Sequence, residues 1–80
     1  MYPVIMTIHD DADGYVVTVW SPNIPGMRTF GATLSEAAYW SVDAINTVLE
    51  GKEYPEPMDP KEWKIADNER VVYIPISKAD

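Results

Sequence analysis

Apolar and polar positions alternate from the first residues onward, and the alternation predicts a strand. From about Tyr2 to His9, the side chains of Tyr2, Val4, Met6 and Ile8 share one face. Pro3 cannot donate to a ladder and suits the beginning of an edge strand. Asp10-Asp11-Ala12-Asp13-Gly14 then ends in an Asp-Gly pair, which tolerates positive φ and predicts a hairpin turn. A second strand is expected from Tyr15 to Trp20. Tyr15, Val17 and Val19 point one way, and Val16, Thr18 and Trp20 the other. Both sets are largely apolar, so cover is expected on both faces. Ser21-Pro22-Asn23-Ile24-Pro25-Gly26 is rich in turn formers, and Met27 to Phe30 predicts a short third strand.

The period then changes from two to 3.6. Thr33 with Glu36 three residues later forms a capping box, and Gly51 is placed to terminate the helix, so a helix is expected over about residues 34–50. Leu34, Ala37, Ala38, Ser41, Val42, Ile45, Val48 and Leu49 fall in one sector roughly 140° wide at about 100° per residue. Glu36, Asp43, Thr47 and Glu50 lie opposite. Trp40 breaks the pattern by falling beside Glu36, Asp43 and Thr47, and Tyr39 lies at the other margin of the polar face. Residues 51–61 are charged and spaced by Pro55, Pro57 and Pro60, which predicts an extended connection. Asp59-Pro60 with Glu62 can start one helical turn reaching Trp63. Asp67-Asn68-Glu69 predicts a turn, and residues 71–76 a closing strand with Pro75 near its end. The order β-β-β-α-β makes an α+β domain, with an antiparallel sheet and the amphipathic helix on one sheet face.

Composition narrows this further. Eighty residues leave room for one domain, whose core is thin enough that self-association to a dimer or higher is expected. Fifteen Val and Ile stand against two Leu, which favours strands over a helical bundle. Without Cys there is no disulfide, thiolate metal site or Cys nucleophile. No apolar run approaches a membrane span of roughly 20 residues. No basic-then-apolar leader occurs, so a reducing cytoplasm is the expected compartment.

Charge changes the expected partners. The net charge is −7, of which residues 31–60 carry −5. Such a surface repels nucleic-acid phosphates and anionic membranes and attracts basic partners; acidity also serves plain solubility. Arg28 is the only cation among the first fifty residues, so no basic patch interleaved with aromatics is present.

Catalytic constellations are sparse, and no catalytic, cofactor-binding or metal-ligating residue is assigned. His9 is the single His, reads as a strand-end surface residue, and has no nucleophile-elbow spacing near it. Asp10, Asp11 and Asp13 could hold a hard cation through oxygen ligands. Read as a calcium loop, however, His9 and Trp20 occupy the positions that need Asp and a bidentate Glu, so hairpin chemistry is the better account. The four Gly form neither a Walker pattern nor a dinucleotide fingerprint. What remains is surface aromaticity. Tyr39 and Trp40 stand beside acids on a face expected to be exposed, and such residues concentrate in interfaces. Alternatively, the proline-rich segment or Trp63 folds over them.

Several stretches in order carry a family resemblance. They are Tyr2-Pro3-Val4, Asp11-Ala12-Asp13-Gly14-Tyr15-Val16-Val17, Pro22-Asn23-Ile24-Pro25-Gly26, and Thr29-Phe30-Gly31-Ala32-Thr33-Leu34-Ser35-Glu36-Ala37. Together they resemble the HicB antitoxin family, with its acidic D-G-Y hairpin, P-D-L-P-G turn and T-x-G-x-T-x-x-E-A lead into the helix. Asn23 stands where Asp is common, and Met27 where Cys often follows the Gly. The resemblance covers about residues 2–50. It implies a partial RNase H-like fold without catalytic competence, which binds a small basic HicA-type mRNA interferase and masks its active site. The family usually adds a C-terminal DNA-binding segment; here the sequence stops at Asp80, so no DNA binding by this chain alone is expected.

Three functions follow as expectations. The first is an antitoxin-like module whose partner contacts are Glu36, Tyr39, Trp40 and Asp43 on the helix and Asp10, Asp11 and Asp13 on the hairpin, inferred from exposure and charge. The second is an orphan structural domain that self-associates. The third is a metal-dependent nuclease remnant using the aspartate cluster.

Overall fold

The computed structural model describes residues 1–77. Its elements are β1 (Tyr2–Asp11), β2 (Gly14–Trp20), β3 (Arg28–Gly31), α1 (Leu34–Leu49), a 3-10 turn at Pro60–Glu62, and β4 (Glu69–Ile74). The strands form one antiparallel sheet in the order β3-β2-β1-β4. The expected α+β arrangement of one sheet and one helix is therefore present.

Pairing in the middle of the sheet explains the burial of the N-terminus. Every residue from Tyr2 to Met6 is buried. Pro3 does not mark an edge, as its position near the chain start suggests, because β1 is flanked on both sides. Its ladder to β2 begins only at Ile5, opposite Trp20. Pro3 lies beyond that point, and its carbonyl accepts instead from the Ser21 hydroxyl at 2.7 Å. No strand on that side requires the missing N–H.

The hairpin also differs from expectation. β1 continues through Asp10 and Asp11, so the turn residues are Ala12 and Asp13, both with negative φ. The Asp11 carboxylate accepts from the Asp13 amide at 2.9 Å, a local Asx turn, and Gly14 closes the loop at φ 135°. β3 is shifted one residue from the expected 27–30, because Met27 is drawn into the core. β4 covers Glu69–Ile74 rather than residues 71–76. Its polar start is secured by Glu69, whose carboxylate accepts from Thr7 Oγ1 at 3.2 Å and from the Ala66 amide at 2.7 Å. Asn68 is bonded to β1 through the Ile8 amide and carbonyl.

α1 keeps the expected start and face. Thr33 Oγ1 accepts from the Glu36 amide at 3.0 Å, and Glu36 Oε1 accepts from the Ala32 amide at 3.3 Å, which is the capping box read from the sequence. Ala37, Ser41, Ile45 and Leu49 are buried at i, i+4 spacing. They meet Tyr2, Val4, Met6, Val17, Val19, Ile24, Met27 and Ile74 to form the core. Buried Ser41 donates back to the Ala37 carbonyl at 2.6 Å.

The proline-rich connection is irregular, as expected, yet it is tethered. Asn23 Nδ2 donates to the Glu56 carbonyl at 3.1 Å, and Asn23 Oδ1 accepts from the Met58 amide at 2.6 Å. The Tyr2 hydroxyl donates to the Pro55 carbonyl at 2.6 Å. Burial, with smaller contributions from Glu56 and Tyr54, raises the Tyr2 pKa above the ordinary tyrosine value. The folded hydroxyl thus keeps its proton to higher pH than the unfolded one. Its contribution to stability is complete below the ordinary tyrosine range and is lost as pH climbs through the raised value. Tyr2→Phe should cost about 1 kcal/mol at neutral pH, the worth of one hydrogen bond. The cost should shrink toward strongly alkaline pH. Urea unfolding of both proteins from about pH 7 to about pH 11 checks this, and a cost that stays constant refutes it.

The thinnest dimension is 18 Å, room for one sheet and one helix layer. Register places Tyr2, Val4, Met6, Ile8, Val17 and Val19 on the helix side and Ile5, Trp20, Arg28, Phe30, Val71 and Tyr73 on the other. The expectation that both faces are covered holds there only in part: Pro3 and Ile5 are buried, whereas Trp20, Phe30 and Tyr73 are exposed.

Candidate protein-interaction face

The outer side of α1 is set by the same periodicity that builds the core. Because Ala37 and Ser41 must point at the sheet, Tyr39 and Trp40 are turned away from it. Tyr39 is 69% exposed and Trp40 44%. Their rings meet edge to face, with centroids 5.1 Å apart and planes at 80°. That arrangement suits the aromatic quadrupole and holds both rings in place. Neither the proline-rich segment nor Trp63 covers them; Trp63 lies with Met58, Asp59, Lys61 and Glu62 instead.

Asp43 completes the face one turn further on. Tyr39, Trp40, Val42 and Asp43 line a shallow cleft of about 300 Å³. An apolar floor with a carboxylate at its margin fits a side chain with an aliphatic stem and a cationic head, as Lys and Arg have. Glu36 is exposed on the same helix, but part of its bonding capacity is already committed to the cap at Ala32. Of the two helix acids, Asp43 is the freer to meet a partner.

The hairpin acids form a separate place. Asp10 stands opposite Tyr15 in the β1–β2 ladder. Asp11 and Asp13 line an open depression of about 310 Å³ with His9, Gly14, Tyr15 and Val16. No described cavity includes both this group and the helix residues, so the residues inferred from sequence fall into two sites. Asp11 already accepts from its own loop. Among the described residues no group of three His, Asp or Glu side chains is placed to hold a metal ion. His9 is exposed, with Nε2 2.9 Å from Thr18 Oγ1.

Two features escape sequence reasoning. One is Asn23, which clamps the connection through two bonds to residues far along the chain. The other is the open sheet face. Trp20 and Phe30 could have been flagged by alternation, but only the structure shows that they stay exposed, at 42% and 67%. No described helix is long and apolar enough to cross a membrane.

No protein-family model matches the chain, and no curated protein matches it.

Proposed function

We propose that this chain is an antitoxin-like binding module that neutralises a small basic protein, of the HicA-type mRNA interferase class, by masking its active site. The observation that carries the proposal is the exposed Tyr39–Trp40 pair with Asp43 in one cleft, on a protein of net charge −7. Aromatic anchors supply contact area at low entropic cost, and the acidic surroundings attract a basic partner and speed its approach. The stretches shared with HicB-like antitoxins support the same reading, as does their implied partial RNase H-like fold. The chain acts by occupying a surface and carries out no chemistry of its own.

Tagged protein used as bait in host lysate should retain a small basic protein at moderate salt. That partner should cleave RNA when free and lose this activity when this chain is added. Trp40→Ala combined with Asp43→Lys should weaken the complex by over about 2 kcal/mol, the scale of an interface hot spot. Both side chains are exposed, so the fold should tolerate the change. Retention of no basic protein would refute the proposal, and unchanged affinity in the double variant would move the contact away from α1.

A further inference from the structure

The sheet face opposite α1 serves a different purpose, independent of the helix-face reading. We propose that two copies of this chain associate through it, sheet against sheet, as a two-fold dimer. Trp20, Phe30 and Tyr73 stand out of this face at 42, 67 and 48% exposure, with half-buried Val71 beside them, around Pro3 and Ile5 that are already buried. These are side chains a β-sandwich interior uses.

Charge decides what kind of occupant the face suits. The chain carries −7, yet among the described strand residues the carboxylates on this face are Glu69 and, out at the hairpin end, Asp11, and the only lysine or arginine is Arg28. A basic partner finds little excess of acid here. A single-stranded nucleic acid, which stacks bases on aromatics of such sheets, finds one arginine within a strongly acidic molecule. A second copy meets an apolar surface as nearly neutral as its own.

The register makes the face self-complementary. Arg28, Trp20, Ile5 and Val71 lie in one row across β3, β2, β1 and β4. A two-fold axis parallel to the strands lays this row over the same row of the second copy in reverse order. Each Trp20 then falls at the row position of the partner's Ile5, which is already buried in its own chain, so it is the Trp20 ring that gains cover. Each Arg28 falls over the partner's Val71, about 7 Å along the strand from both the partner's Glu69 and the partner's Tyr73. An arginine in that position can pair with the carboxylate and stack on the ring.

The area permits a reversible dimer. Four strands at about 4.8 Å spacing and about six residues at about 3.4 Å give roughly 400 Å² in plan. Side-chain relief brings this to the order of 600 Å² per copy, the lower bound for a specific interface. Micromolar self-association is the expected strength.

Light scattering on the purified full chain over a concentration series tests this. Wild type should pass from monomer to dimer. Phe30→Glu and Trp20→Ser should each raise the dissociation constant by about thirtyfold, which is the loss of one hot-spot anchor. Arg28→Glu should also weaken the dimer, and more at low salt than at high. Circular dichroism and melting temperature close to wild type would show that the variants fold. A monomer at every concentration would overturn the proposal. So would a dimer that survives these changes but is broken by Tyr39→Ser, or a monomer that instead binds oligothymidylate. Lysate capture is read on a separate property, so failure here leaves the helix-face reading standing, and the converse holds.

Discussion

Gly31→Ala is expected to destabilise the fold by about 3 kcal/mol or more, although it adds one methyl group. A Cβ built at Gly31 would fall on the backbone nitrogen of Ala37, with the Ala37 Cα and the Glu36 carbonyl carbon each 2.9 Å away. These are backbone atoms in the first turn of α1, so no side-chain rotation relieves the overlap. The helix would have to lift from β3, and Ala37 and Ser41 would lose the contacts that seat them. Gly14 is the control. A Cβ there meets nothing within 4 Å, and only its φ of 135° disfavours Ala. Gly14→Ala should therefore cost less, about 1–2 kcal/mol. Urea unfolding orders the two, and a smaller loss for Gly31→Ala than for Gly14→Ala would refute the close-packing account. The glycine of the T-x-G-x-T pattern is thus a spacer that lets the helix start directly against the strand it follows.

Local chemistry was readable where its partners lie nearby in the chain. Thr33 and Glu36 are three residues apart, and the capping box and helix face came directly from that spacing. The connection after Gly51 was recognisable from its prolines. What could not be read depends on residues far apart. β1 pairs with β4 across more than sixty residues, and nothing near Pro3 announces that its strand lies inside the sheet. Glu69 reads as the end of a turn until Thr7 is found beside it in the ladder. Of the candidate site, exposure of Tyr39 and Trp40 followed from the wheel, because the core-facing stripe fixes what must point outward. Their edge-to-face contact did not, since it depends on rotamers. The exposure of Trp20, Phe30 and Tyr73 on the outer sheet face could not be read, because alternation shows that a face is apolar but not how far it is covered.

These two apolar surfaces divide the molecule. The helix side combines its rings with carboxylates, and the sheet side sets its rings beside Arg28 and Glu69, whose charges balance. A single sticky surface could serve only one partner at a time. Under the two proposals above, segregation by charge would let one face select a basic protein while the other accepts a like molecule, and neither contact would have to be given up for the other.

Asn23→Asp should be the second severe change, about 3 kcal/mol at neutral pH, although the two side chains are nearly isosteric. Asn23 is only 6% exposed and uses both ends of its amide. Nδ2 donates to the Glu56 carbonyl, and Oδ1 accepts from the Met58 amide. A carboxylate keeps the second bond and turns the first into two oxygens facing each other in a buried site. The connection would come away from the Ser21–Gly26 turn, and the Tyr2–Pro55 bond beside it would weaken. Acid should rescue the variant. Once protonated, the introduced carboxyl can donate to the Glu56 carbonyl while its other oxygen still accepts from Met58. The folded state therefore favours the neutral form and binds its proton more tightly than the unfolded chain does. The deficit relative to wild type should be smallest below the ordinary aspartate range and should grow as pH rises through the raised value. Asn23→Ala loses both bonds at every pH and should show no such recovery. Unfolding measured at about pH 4 and about pH 7 for wild type and both variants separates these cases. Equal deficits for Asn23→Asp at the two pH values would mean that the amide donor to Glu56 contributes nothing, and that the connection is held by the Met58 bond, Tyr2 and packing.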